Sequence, residues 1–190
     1  MTQVKGFALR GLLKSLKEHG WSIPEILARL PETSRPSFDR PVGSSSWYPY
    51  STFVSLVRTI DEMHGGGRLE LCRTLGREAA VRDLGTTFRI ISAITSVEFM
   101  LKRAQVFWSK YCDTGALVLD CYEEGLFLGR MEGFPHLDRS HCLLIEGWLE
   151  GIGVSIGALG MTTRQPRCLH QGHACCEFEG TWTGLKRRFG

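Results

Sequence analysis

Apolar residues recur every three to four positions through the first 111 residues of this chain, and every second position in two later stretches. In residues 6–19, Phe7, Leu9, Leu12, Leu13 and Leu16 share a helical face, with Lys5, Arg10, Lys14 and Lys17 mostly on another. "SIPEILARL" (22–30) opens a second helix, with Ser22 as N-cap, Pro24 in the first turn and Glu25 three residues on. The pair joined by "HGW" reads as a helical hairpin with a solvated basic face in preference to a helix-turn-helix. Residues 31–49 hold four prolines and a serine run and are expected to be an irregular connection. Further helices are expected from Tyr50 to Met63, ended by "HGGG", from Leu69 to Val81, closed near Gly85, and from Ser96 to Tyr111, with Thr95 and Glu98 as the cap.

After Asp113-Thr114-Gly115 the period changes. "ALVLDCYEEGLFLGRME" is two β-type runs around Glu124-Gly125, a hairpin signal. Residues 137–160 return to the helical period, with Asp138 or Ser140 as cap. Glycines at 147, 151, 153 and 157 each cost about 1 kcal/mol in a helix relative to alanine, so this helix is expected to lie very close to something. Residues 162–169 and 175–183 form a second hairpin around Gln171-Gly172-His173. The C-terminal half is β-β-α-β-β and the whole protein α+β, its helical N-terminal half packed on a four-stranded antiparallel sheet.

Composition narrows the field. The chain has 190 residues, 43% apolar and 23% charged, with a net charge of +3, too small and dispersed to mark a nucleic-acid surface. No apolar run reaches the ~20 residues of a membrane span. Lys14, Lys17 and Glu18 interrupt the place a signal peptide would keep apolar, so a cytoplasmic location is expected. Seven cysteines, an odd number, then argue for thiols or metal ligands over a disulfide framework.

The densest chemistry is "RCLHQGHACCEFEGTW" (167–182). With the turn centred on Gly172, Cys168 and Cys176 oppose each other across the hairpin at ~5 Å between Cβ atoms, and Cys175 points to the other face. His170 shares the parity of Cys168, and His173 lies in the turn. Geometry alone leaves open a zinc site, a cross-strand disulfide and inert thiols. Elsewhere, Ser140-His141-Cys142 is not a catalytic dyad, because helix neighbours diverge by ~100°. Glu123-Glu124 is a solvated turn, and no nucleotide, zinc-protease or hydrolase motif occurs. Cys72, Cys112 and Cys121 read as small buried hydrophobes.

"C-x3-G-H-x2-C-x3-G" (Cys168, Gly172, His173, Cys176, Gly180), preceded by "C-x4-E-G-W-x2-G" (Cys142, Glu146, Gly147, Trp148, Gly151), resembles the closing motif of the 4-vinyl reductase domain. That domain is the small-molecule sensor module of aromatic-responsive, NtrC-type activators. Its fold is shared with TRAPP-type tethering subunits and, more remotely, with haem-based nitric-oxide sensors. The resemblance implies a structural zinc on Cys142, Cys168 and Cys176. Gln165 stands where the family has its glutamate ligand, so the fourth position falls to Gln165, His170 or His173. Haem is not expected, because the proximal histidine and the Tyr-x-Ser-x-Arg stretch of the haem relatives are missing.

The likeness covers residues 50–183. Residues 1–49 are expected to be a helical extension and linker, and residues 184–190 a basic tail. These readings together predict a non-enzymatic sensory domain with an internal pocket for a small apolar or aromatic ligand. Phe88, Phe99, Phe107, Trp108, Tyr111, Phe127 and Trp148 are its expected walls, with Tyr122 or His136 as polar handle. The rival expectation is a homodimeric interaction scaffold with a filled core. The apolar N-terminal helix pair is expected to pack on the rest of the chain or on a second copy, giving a homodimer, and a protein partner is a further expectation.

Overall fold

A short strand, β1 (Gln3–Lys5), leads straight into α1 (Gly6–Glu18), and α2 (Ile23–Arg29) follows after one turn. Ser22 caps α2 through Glu25, as its spacing predicts. The computed structural model describes residues 1–91, 97–134 and 136–185. Within the stretch read as irregular, it places a 3-10 turn at Arg35–Phe38 and a strand, β2 (Trp47–Pro49), paired antiparallel with β1. Three-residue strands carry too little alternation to be seen in a sequence.

Helix α3 (Tyr50–Ile60) runs into a π-helical turn at Asp61–Gly65. Asp61 is fully buried there and accepts the backbone N–H groups of Leu69 (2.8 Å) and Leu71 (3.3 Å), satisfying donors at the start of the next helix. That helix, α4 (Glu70–Ile91), continues past Gly85, where the sequence reading ends it. The single helix expected over 96–111 is two, α5 (Val97–Lys102) and α6 (Ala104–Tyr111), parted at Arg103. The Thr95 cap expected for it lies outside the described residues.

The C-terminal half follows the predicted order. β3 (Ala116–Glu123) and β4 (Leu126–Glu132) form the first hairpin, α7 (Arg139–Ser155) the helix, and β6 (Thr162–Arg167) with β7 (Cys176–Thr181) the second hairpin. The sheet is antiparallel throughout, in the order β3-β4-β7-β6. Two two-residue strands, β5 (Ala158–Leu159) and β8 (Gly184–Leu185), pair beside it, so the expected tail begins as a strand. The rest of that tail, 186–190, lies outside the described residues.

The glycines of α7 show what they lie against. A Cβ at Gly147 would overlap the Arg73 carbonyl, one at Gly151 would come within 2.5 Å of the Arg77 carbonyl, and one at Gly76 would overlap the Leu144 carbonyl. Helices α4 and α7 thus meet backbone to backbone. Arg73 crosses this seam to Glu150 and Glu146, both buried, and donates to the Thr163 carbonyl as well. The Thr163 N–H donates to Glu150 (3.0 Å), so the carboxylate is held from a helix and a strand at once.

The N-terminal helices share the core with the rest. Leu9, Leu16, Ile26 and Leu30 are fully buried, in one cluster with Leu56, Leu75, Phe127 and Phe178. Arg82 of α4 fixes α1 through Ser15 Oγ (2.9 Å), Glu18 (3.0 Å) and the Gly11 carbonyl (3.0 Å). The helix pair that led to the expectation of a homodimer buries its apolar face within its own chain. Among the described residues no helix is long and apolar enough to cross a membrane.

Candidate functional site

Where α1 lies over α6 and α7, the core leaves a partly open cavity of about 80 Å³. Strand β1 and helix α1 wall it with Val4, Phe7, Ala8, Gly11 and Leu12; α3 adds Phe53, and α4 adds Leu75 and Ala79. The opposite side is Trp108 and Tyr111 of α6, Cys112, Leu117 of β3, and His141, Leu144, Ile145 and Trp148 of α7. Phe7 meets Tyr111 edge-on at 5.4 Å, and Tyr111 meets Trp148 at 6.0 Å. An apolar cavity of about 150 Å³ takes benzene, so this space suits a ring of about that size at most, with an edge at the mouth.

His141 is the imidazole of this lining and is 7% exposed. It stacks on Trp108 at 5.5 Å and meets Phe53 edge-on at 5.0 Å. Its Nδ1 lies 3.1 Å from Tyr50 Oη, and Tyr50 Oη also accepts the Asp138 N–H at 2.9 Å. Asp138 caps α7 through Ser140 and pairs with Arg58 of α3. Burial pushes the His141 pKa down to about 4, so the ring is neutral at pH 7, and burial raises that of Tyr50, which keeps its proton. Burial raises Asp138 too, but Arg58 and Ser140 outweigh it and hold the carboxyl below its usual range.

The cavity gathers three of the expected walls, Trp108, Tyr111 and Trp148. Two other walls, and the handle Tyr122, lie elsewhere. Phe127 is buried on β4 over its cross-strand partner Gly180 of β7, where a Cβ would overlap its ring. Phe99 is 43% exposed, and Tyr122 packs beside Trp182 at 6.1 Å. The side chains of Phe88 and Phe107 lie outside the described ones. His136 is exposed, so neither expected polar handle reaches the cavity. His141 takes that place. The sequence pairs it with Ser140 in no catalytic dyad, yet a histidine inside an apolar helical run is itself a signal of a buried, partnered ring. The walls from α1 were missed because the resemblance begins at residue 50.

The three cysteines converge. Cys142 Sγ lies 3.6 Å from Cys176 Sγ and Cys176 Sγ 3.8 Å from Cys168 Sγ, and all three thiols lie within 4.8 Å of one another, fully buried. Cys175 stays outside the cluster and half-buried. The β6–β7 register slips between Arg164 and Arg167 and resumes with Arg167 opposite Glu177, which sets Cys168 beside Cys176. The hydrogen bond between Cys142 and Cys176 lowers the Cys176 pKa and raises that of Cys142.

The fourth position is not filled as a closed zinc site requires. The Gln165 oxygen accepts from Arg139, and its nitrogen is enclosed without a partner. His170 Nε2 is 2.7 Å from the Leu137 carbonyl, and His173 is exposed. Arg139 also approaches Cys168 Sγ at 3.7 Å, bringing a positive charge to the thiols. The donor set is one short, and the comparisons below give zinc no support.

No protein-family model matches the chain, and no curated protein is similar in sequence. Solved structures are similar in fold. An H-NOX protein from S. oneidensis in the Fe(II) ligation state has a TM-score of 0.74 at 15% identity, over 98% of this chain and 100% of that one. An oxygen-binding H-NOX domain related to soluble guanylate cyclases has a TM-score of 0.66 at 11% identity, over 98% of each chain. A structure from work on haem distortion in the H-NOX family has 0.65 at 11%, again over 98% of each.

These correct the expectation of no haem. That expectation rested on a missing motif, and this chain has, end to end, a fold that holds haem in its neighbours. His141, Cys112 and Tyr111 are the cavity residues of the types that ligate haem iron. As arranged they do not fit it: burial raises the Cys112 thiol, and 80 Å³ is short of a macrocycle. At these identities the likeness shows the fold alone: an α+β domain built as the H-NOX domains are.

Proposed function

We propose that this chain is a sensory domain that binds a small apolar or aromatic molecule in the cavity between α1, α6 and α7, and performs no covalent chemistry of its own. One observation carries the reading. An otherwise apolar cavity, walled by Trp108, Tyr111 and Trp148, contains a neutral, hydrogen-bonded imidazole, the composition of a small-molecule site. The resemblance of the closing motif to aromatic-responsive sensors and the fold of the H-NOX neighbours, one of them described as oxygen-binding, point the same way. The three thiols join α7 to the second hairpin beneath this site and take no part in binding.

The test is a screen of phenols, indoles and short fatty acids, read by melting temperature and tryptophan fluorescence. A ligand that stabilises the fold by linkage and quenches Trp108 and Trp148 supports the reading. No shift from any compound favours the interaction scaffold instead. Haemin is titrated separately, and a shifted Soret band in a one-to-one complex would replace this reading with a haem site.

A further inference from the structure

We infer that His141 presents an N–H donor to the cavity, and that the site therefore selects small uncharged molecules bearing a hydrogen-bond acceptor, such as a ketone, over hydrocarbons of the same shape. This rests on the cavity being a ligand site, as proposed above.

Tyr50 Oη accepts the Asp138 N–H at 2.9 Å. Its own proton needs an acceptor, and the atom placed to take it is His141 Nδ1 at 3.1 Å. A neutral imidazole that accepts at Nδ1 carries its proton at Nε2. No hydrogen bond to that Nε2 exists among the described residues, and it is not among the enclosed polar atoms left without a partner. It therefore retains accessible surface, on a ring that lines the cavity.

Tyr111 and Trp148 also carry an O–H and an N–H on the wall but are only half-buried, whereas His141 and Trp108 are buried. Trp108 Nε1 donates to the Thr114 carbonyl at 2.9 Å, and Cys112 offers a thiol, a poor donor. The buried donor left for a ligand's acceptor is therefore His141. Asp138 and its Arg58 partner stand behind Tyr50, outside the cavity, so the donor is fixed from the rear and the phenol cannot turn to compete for the ligand.

Cyclopentanone and methylenecyclopentane are a matched pair of six heavy atoms that differ in the acceptor. Calorimetry on the full-length protein should find the ketone bound about tenfold tighter. The preference should vanish in His141→Phe. It should fall in Tyr50→Phe, which frees Nδ1 and lets the ring change tautomer. Independently of any variant, long-range ¹H–¹⁵N spectra of the wild type should show His141 protonated at Nε2. Equal binding of the two probes, a preference that survives His141→Phe, or a ring protonated at Nδ1 would each overturn the assignment. If neither probe binds, the reading of the cavity as a ligand site falls, and the assignment with it.

Discussion

His141 is the residue on which burial acts most visibly. Its neighbours are Tyr50 on α3, Cys112 at the cavity wall, and Asp138 and Cys142 on its own helix; only Asp138 favours the charged ring, and burial outweighs it. With a folded pKa of about 4 against 6.5 unfolded, the unfolded chain binds the extra proton between those values. Stability from this group is therefore complete above pH 6.5 and declines as pH falls towards 4, by about 3 kcal/mol in all. Urea titrations at pH 7, 5.5 and 4.5 should show this decline in the wild type and a flatter profile in His141→Phe. Removing the α7 cap and its Arg58 pair at once, Asp138→Ala should cost about 2 kcal/mol at pH 7, read by the same titrations. At this scale, the sequence made some contacts legible and hid others. Opposition of Cys168 and Cys176 follows from centring the turn on Gly172, although the register slip that brings it about was not legible. Their meeting with Cys142, 26 residues earlier, came only through resemblance, and the Tyr50–His141 bond joins residues 91 apart, a separation that no periodicity encodes.

Between elements, the α4–α7 seam is the tightest junction, and here the sequence spoke plainly. Three glycines in one helix are costly unless something demands their smallness, and the α4 backbone demands it at Gly147 and Gly151. Gly147→Ala should destabilise by about 3 kcal/mol or more, because the obstacle is a carbonyl and not a side chain that can swing aside. Gly184→Ala, with open space around it, should be close to neutral in the same denaturation experiment. Less legible were the breaks. α4 outruns Gly85 because one glycine costs only about 1 kcal/mol against a long packed helix. The thiol cluster is a second junction, joining α7 to β7. Cys142→Ala and Cys176→Ala should each cost about 1 kcal/mol, and the double variant less than their sum, since each removes the other's partner.

For the molecule as a whole, the α+β class and the order of the C-terminal half were readable because alternation and helical period change cleanly near Gly115. The role of the N-terminus was not, since an amphipathic helix does not say what it covers. A chain starting at Trp47 would lose Leu9, Leu12, Leu16, Ile26 and Leu30 from the core and one wall of the cavity, and its thermal unfolding should lose cooperativity. The glycine seam has a mechanical consequence for such a domain. Two helices in backbone contact have no layer of side chains between them to shear, so they behave as one stiff beam. Strain from an occupant would be shed into the thinner side, α1 and α6. Hydrogen exchange should then find amides 73–80 and 144–151 among the slowest in the chain and indifferent to ligand, with ligand-dependent protection concentrated in residues 6–18 and 104–111.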